Sequence, residues 1–545
     1  MNVGPSTSTN LGSPSPVCVW CISATSRSEP GVPTRVETRR SDTLRHVTDV
    51  LASFDPPDLP EQVRIRREKL ARIRAEGFDP YPVGFPRTAM IAQIREEYGG
   101  LPPDSFTGRR VAIAGRLMLS RVSGKLCFAV LRDGSGDIQV MLSLDKVGER
   151  ALAAWKSLVD LGDHIGVEGE VITSRSGELS VLASSWCFTS KALRPLPEKH
   201  KGLVDPEARI RRRYVDLIVN PRSRSLVYLR AAVLRSLRDT LSRHGYLEVE
   251  TPVLQRVHGG AAARPFRTHL NAFDLPLSLR IALELPLKRL VVGGLERVYE
   301  IGRVFRNEGV DSTHSPEFTE LEAYEAYGDY DTMARLVREL VVDAATAVDA
   351  VQIPSPDGGT VDLAGPWSST TVHEAVASAV GEEVTVDTPI TVLRRIAEGH
   401  GLPVSASADE GEIVCELFEK VAQPRIRQPT FVRDFPASAR PLARPHRRDP
   451  RLAEAWDLII NGLEIAPAYS ELIDPIEQRR RLVEQSRRAA GGDPEAMELD
   501  EDFLQALEYG APPMGGMGLG VDRLVMLLTG AGIREVILFP LIRPE

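Results

Sequence analysis

One short stretch limits the possible folds of this chain more than any other. Residues 304–324 read VFRNEGVDSTHSPEFTELEAY, with Arg306, His314 and several acids set beside Phe305, Phe318 and Tyr324. A solvated loop has no use for the aromatics, and a buried core strand would not tolerate the charges unpaired. Alternation on either side of residues 307–315 predicts two strands joined by a charged turn. On the second strand the period of two puts Glu320, Glu322 and Tyr324 on one face. A guanidinium fork from Arg306, a flat ring from Phe318 and carboxylates along one face suit a ligand carrying a phosphate, a ring and an ammonium group. The plainer reading of these residues alone is a salt-bridged hairpin.

The 545 residues are too many for one ordinary domain, and two or three are expected. An apolar share of 42% and a charged share of 26% fit a globular chain. No run reaches the roughly 20 apolar residues of a membrane span. A net charge of −8 argues against general coating of nucleic acid and leaves room for a local basic face. The five cysteines form no disulfide framework, and the lone CxxC at Cys18 and Cys21 has no partner pair, so a metal or redox role is not assigned to it. Reduced thiols and the lack of a clear export signal point to the cytoplasm.

Residues 1–58, rich in Ser, Thr, Pro and Arg, are expected to be a disordered extension. Residues 59–105 open with EQVRIRREKLARIRAEG, a basic helix ending at Gly77; its basic side chains at 64–74 face either solvent or phosphate. Residues 106–195 hold β-branched and aromatic strands separated by Gly-containing turns, with one inserted helix near 145–159, the pattern of a small OB-type barrel. Such barrels bind single-stranded nucleic acid by base stacking, and Phe128, Gln139 and Glu178 are placed to take part. Packing or solvation is the plainer reading of each. Residues 196–220 are a linker, and 221–545 form a large α/β region. Near its end, PPMGGMGLGVDRLVMLLTG has the glycines of a dinucleotide loop but no βαβ unit around them. Its glycines lead instead into Arg523 and an apolar helix, allowing close backbone approach.

YLEVETPVL is read as a strand whose Pro252 fits an edge or an interface. FRNEG…HSPEFT resembles motif 2 of the class II aminoacyl-tRNA synthetases, GLGVDRLVML resembles motif 3, and GYLEVETPVL with Pro252 resembles the dimer-forming motif 1. GGAAARPF, RPLPEKHKGL, RYVDL, LKRLVVGG and AYSELIDP are similar to the lysyl type within that class. The resemblance runs from about residue 60 to 543. It implies an OB barrel that reads the anticodon, an antiparallel catalytic sheet flanked by helices, and a homodimer. It implies that lysine and ATP form lysyl-adenylate, whose lysyl group passes to tRNA(Lys), with Mg2+ as cofactor and no membrane partner. It assigns Arg306 to the α-phosphate, Arg523 to the γ-phosphate and the adenine opposite Phe318, and Glu308, His314, Glu464 and Gly520 to the ATP site. Asp457 and Glu464 match the metal-binding acids; their spacing suits one helix face or matched strand ends across a turn. Gly260 and Glu284 match the α-ammonium site, and Glu471 and Tyr324 the ε-ammonium site, with Glu322 nearby and Tyr469 on the methylenes. The resemblance also gives weight to Phe128, Gln139 and Glu178 as anticodon contacts.

The chain departs from the family at Ser278, Leu283, Pro286, Pro467 and Ile473. Pro286 falls inside an expected helix, where a proline costs about 3 kcal/mol. Two alternatives stay in view: a lysylating paralogue serving elongation factor P or a lipid, and a silent tRNA-binding paralogue, which the departures keep alive.

Overall fold

The computed structural model describes residues 59–197, 202–406, 408–493 and 495–543. Cys18, Cys21 and the extension 1–58 lie outside the described residues. The chain divides into two compact units, 1–195 and 196–545.

In the first unit, β1 (Phe106–Ser123), β2 (Leu126–Arg132), β3 (Asp137–Ser143), β4 (His164–Thr173) and β5 (Leu179–Ser190) close a barrel in the order β1-β2-β3-β5-β4. Alternation drives it: Cys127, Ala129 and Leu131 are fully buried, while Phe128 and Val130 point outward. Helix α1 (Glu61–Ala75) caps at Glu76, and Gly77 follows with a φ of +84°. Part of its charge turns inward. Arg66 is buried and donates to the carbonyls of Leu161, Ala192 and Arg194, and Lys69 pairs with Asp160 at 2.6 Å. Those two side chains hold the helix in place, so only Arg64, Arg72 and Arg74 stand exposed for an outside anion.

In the second unit, eight strands form one mixed sheet. They are β6 (Leu247–Glu248), β7 (Arg297–Phe305), β8 (Glu317–Ala326), β9 (Ser368–Thr371), β10 (Thr430–Arg433), β11 (Ala455–Ile460), β12 (Leu463–Ser470) and β13 (Met514–Gly520), ordered β9-β10-β11-β12-β13-β8-β7-β6. The expected antiparallel pairing holds for the central six; β6 and β9 join the edges in parallel. One face packs Leu321, Ala323, Ala466, Ala468, Met517 and Leu519 against the helices Pro221–Arg243 and Tyr330–Ala347. By the period of two, the opposite face carries the polar members of the same strands.

Two expectations change. GYLEVETPVL is not one strand: only β6 pairs with β7, and Leu254–Gln255 joins a separate three-stranded sheet. Pro252 lies between them, with no N–H to continue a ladder. Pro286 is third in the helix α2 (Glu284–Val292), not in its interior. The first four N–H groups of a helix have no partner within it, so this proline forfeits no hydrogen bond and the expected penalty does not apply.

Candidate active site

The polar face of the sheet is a cleft because of register. Glu320, Glu322 and Tyr324 on β8 stand opposite Gly520, Gly518 and Gly516 on β13, and Gly516 also stands opposite Tyr469 on β12. A glycine at every second residue leaves β13 bare on this side, while Met517 and Leu519 fill the core on the other. The alternation in GGMGLG is therefore a floor. A methyl group at Gly516 would fall 2.0 Å from Glu471 Oε1 and 2.4 Å from Tyr324 Cε1.

Above that floor the carboxylates of Glu284, Glu322 and Glu471 are all buried. Lys288, one helical turn beyond Glu284, holds its Nζ 2.5 Å from both Glu284 Oε1 and Glu471 Oε2. Tyr324 donates to Glu322 Oε2 at 2.8 Å, and the Leu283 N–H donates to Oε1 at 2.6 Å. Glu471 Oε1 has no hydrogen-bond partner. Gly260 has a φ of +90°, and a Cβ there would lie 3.0 Å from the Cβ atoms of Ala282 and Glu284, so only glycine brings its loop this close to Glu284. Burial, with the charges of Glu320 and Glu284, raises Glu322 well above the usual carboxylate range. Burial likewise pushes Glu471 up to about 8, against the pull of Lys288.

At the other end the Arg306 guanidinium lies 5.0 Å from the Phe318 ring centroid. Its Nε donates to the Ile281 carbonyl at 3.2 Å, and its Nη2 is 3.6 Å from Glu320 Oε2. Arg523 sits in the first turn of the helix α3 (Val521–Thr529), just after Gly520, and donates to the Glu464 carbonyl at 3.1 Å. Asp522 ties this helix to β8 by accepting from the Thr319 N–H at 2.7 Å and from Arg230 at 2.5 Å. Glu320 links the two ends: burial raises its carboxyl, the charges of Arg306 and Arg523 lower it, and those of Glu464 and Glu284 raise it. Glu308 and His314 lie exposed on the 307–315 loop, where His314 meets Asp311 at 2.8 Å.

Asp457 and Glu464 lie on the adjacent strands β11 and β12 and not on a helix, but they are not matched across the turn: Asp457 stands opposite Pro467 and Glu464 opposite Ile459. Asp457 Oδ2 accepts from Arg440 Nη2 at 2.8 Å. Among the described residues, no three His, Cys, Asp or Glu side chains gather as a metal cage.

The departures cluster here. Ser278 is fully buried with its hydroxyl unpartnered. Pro467 borders the floor, its Cγ 3.7 Å from where a Cβ on Gly518 would lie. Leu283 and Ile473 pack in the cluster that holds Tyr324.

Four residues of this region had no part assigned from the sequence. Lys288 was legible as the partner four residues beyond Glu284, and Gly516 in the glycine alternation. Glu320 was placed on the right face without a role. Arg440 gave no signal, because its partner is 17 residues away across a loop.

On the barrel, Phe128 pairs with Met141 across β2 and β3, Gln139 donates to Ser180 Oγ at 2.8 Å, and Glu178 is exposed 3.8 Å from Arg95. Phe128 and Gln139 share the barrel's outer face. If Phe128 stacks a base, as the resemblance implies, Phe128→Ala should weaken tRNA binding by about 1–3 kcal/mol, one lost base stack. Amino-acid activation without tRNA should be unchanged, and equal damage to both steps would make Phe128 a packing residue.

The family described as tRNA synthetases class II (D, K and N) matches residues 205–543, and the OB-fold nucleic acid binding domain matches residues 111–186. The chain is 53% identical over 496 residues to the lysine–tRNA ligase of Mycobacterium bovis (strain BCG / Pasteur 1173P2), covering 90% of this chain and 98% of that protein. It is 54% identical over 492 residues to the lysine–tRNA ligase of Mycolicibacterium gilvum, with the same shares covered. It is also 53% identical over 494 residues to the lysylphosphatidylglycerol biosynthesis bifunctional protein LysX of Nocardia farcinica, but over only 43% of that protein.

Proposed function

Because the chain belongs to the class II tRNA synthetases, among the lysine–tRNA ligases, we infer that the cleft activates lysine with ATP and passes the lysyl group to tRNA(Lys). The observation that carries lysine over the other amino acids of the group is the charge of the pocket. Glu284, Glu322 and Glu471 crowd around the one buried cation Lys288, and Glu320 beside them is shared between Arg306 and Arg523, so carboxylates outnumber cations at the lysine end of the cleft and a cationic guest is favoured. Lysine brings two ammonium groups. Aspartate would be repelled, and asparagine would leave buried carboxylates unpaired.

In this reading the α-ammonium meets Glu284 and the Gly260 carbonyl. The ε-ammonium meets Glu471 and Tyr324, and Tyr469 lies along the methylenes. The lysine carboxylate attacks the α-phosphorus of ATP, the bond to pyrophosphate breaks, and Arg306 stabilises the charge spread over the α-phosphate oxygens. Phe318 and Arg523 enclose the adenine, with Glu308 and His314 reaching in from the 307–315 loop. The ribose hydroxyl of the tRNA end then takes the lysyl group.

A Mg2+ ion arriving with ATP would supply neutralisation of the phosphate charge, with Glu464 as the residue to hold it. Glu464 is half exposed and suits it. A metal shared equally by Asp457 and Glu464 does not fit, because Arg440 already engages Asp457. Phe128, Gln139 and Glu178 would contact the anticodon. A homodimer is proposed around the exposed Leu247, Val253 and Leu254, and the cytoplasm as the place of action. The barrel favours a tRNA acceptor over elongation factor P. No described helix is long and apolar enough to cross a membrane.

Lysine-dependent ATP–pyrophosphate exchange tests the reading. Glu471→Gln should lower kcat/KM for lysine at least about tenfold, the weight of a hydrogen bond to a charged group. The pH profile sharpens the test. Burial pushes the Glu471 carboxyl up to about 8 against the pull of Lys288, and the ε-ammonium pairs best with the ionised form. Lysine affinity should therefore rise with pH, by up to about tenfold per unit below 8, and level off above it. The variant should lose that slope. Unchanged lysine kinetics in Glu471→Gln would place the ε-ammonium elsewhere.

A further inference from the structure

Arg440 belongs to no motif, yet it stands against Asp457 with Tyr469 and Glu464 close by. Its Nη2 donates to Asp457 Oδ2 at 2.8 Å, and its guanidinium lies 4.3 Å from the Phe435 ring centroid. Phe435 is buried and braced edge-on by Phe418 at 5.6 Å. The loop is pinned by Arg481, which donates to the carbonyls of Arg440 and Ala443 at 3.3 and 3.0 Å. The guanidinium is therefore seated rather than adrift.

Glu464 and Glu419 add negative charge around Asp457. Glu464 is the half-exposed one of the pair of strand acids, with Arg523 Nη1 3.7 Å from its Oε1. The residue opposite Asp457 on β12 is Pro467, which has no N–H and no polar side chain to offer. Arginine cannot give up its charge by losing a proton. A divalent ion on the remaining oxygen of Asp457 would stand a few ångströms from a permanent cation in a poorly hydrated setting, so the guanidinium and a metal exclude one another. Asp457 Oδ1 and Arg440 Nε are also buried without hydrogen-bond partners, so each retains capacity for a further polar contact.

We propose that Arg440 is a built-in counter-ion at Asp457, a positioning residue standing where a second divalent cation would be needed, so that the ion arriving with ATP is held on the protein by Glu464 alone. This deepens the ligase reading and rests on it for the identity of the polyphosphate.

Manganese is the probe, read by electron paramagnetic resonance on the full chain without nucleotide. The wild type should show no bound Mn2+ that Asp457→Asn removes. Arg440→Gln should gain one, and adding Asp457→Asn to that variant should abolish it. Arg440→Lys, which keeps the charge, should behave as the wild type. In exchange assays, Arg440→Gln should fall about tenfold or more when magnesium only matches ATP, and recover in magnesium excess, because the unneutralised Asp457 competes for the ion that ATP needs. Mn2+ bound at Asp457 in the wild type overturns the proposal, even if Arg440→Gln proves too unstable to study. So does a folded Arg440→Gln that gains no ion, or that responds to magnesium as the wild type does. The predicted manganese pattern with no lysine-dependent exchange in the wild type would reject the ligase reading and uphold the counter-ion.

Discussion

Arg306→Ala is expected to slow lysine-dependent pyrophosphate exchange by about two to three orders of magnitude, the usual cost of removing a preorganised donor from developing oxyanion charge. The guanidinium is held before substrate arrives: stacked on Phe318, bonded to the Ile281 carbonyl and drawn toward Glu320. Little reorganisation remains when charge builds on the α-phosphate. The loss should fall mainly on kcat, because the interaction strengthens in the transition state. Arg306→Lys should recover only part of the rate, since an ammonium has neither the planar fork nor the same stack on Phe318. The fold should survive, because the side chain is partly exposed. Near-normal exchange by Arg306→Ala would remove this residue from the chemistry.

Gly516→Ala is the second large effect. The added methyl would fall 2.0 Å from Glu471 Oε1 and 2.4 and 2.7 Å from Tyr324 ring atoms. A flexible side chain could swing away, but these cannot. Glu471 is clamped by Lys288, and the Tyr324 ring is buried with its hydroxyl bonded to Glu322. Overpacking of this kind costs about 1–3 kcal/mol of stability. The larger consequence is at the proposed ε-ammonium end, between Glu471 and Tyr324, which the methyl would displace or fill. kcat/KM for lysine is expected to drop about a hundredfold or more, on the scale of a misplaced reacting group. ATP binding, measured by calorimetry without lysine, should hold. Equal loss of ATP and lysine binding would show that the change disrupts the sheet instead of the pocket.

Much of this molecule was determined by its sequence through short-range rules. Strand alternation in LCFAVLR set which residues of the barrel point inward, and the period of two set Glu320, Glu322 and Tyr324 on one face. Glycine spacing in GGMGLG stripped one side of β13. Such patterns depend only on backbone geometry, so they are legible without the fold. The tertiary structure decided what lay across strands and loops. It put Pro286 in a first turn, where its missing N–H is harmless. It turned Arg66 and Lys69 of a helix expected to face solvent or phosphate toward Leu161 and Asp160. It set Lys288 between Glu284 and Glu471, and Arg440 against Asp457. Pairing of charges is a long-range matter: a carboxylate's partner is whichever cation the packed elements bring to it, and no local periodicity records that choice.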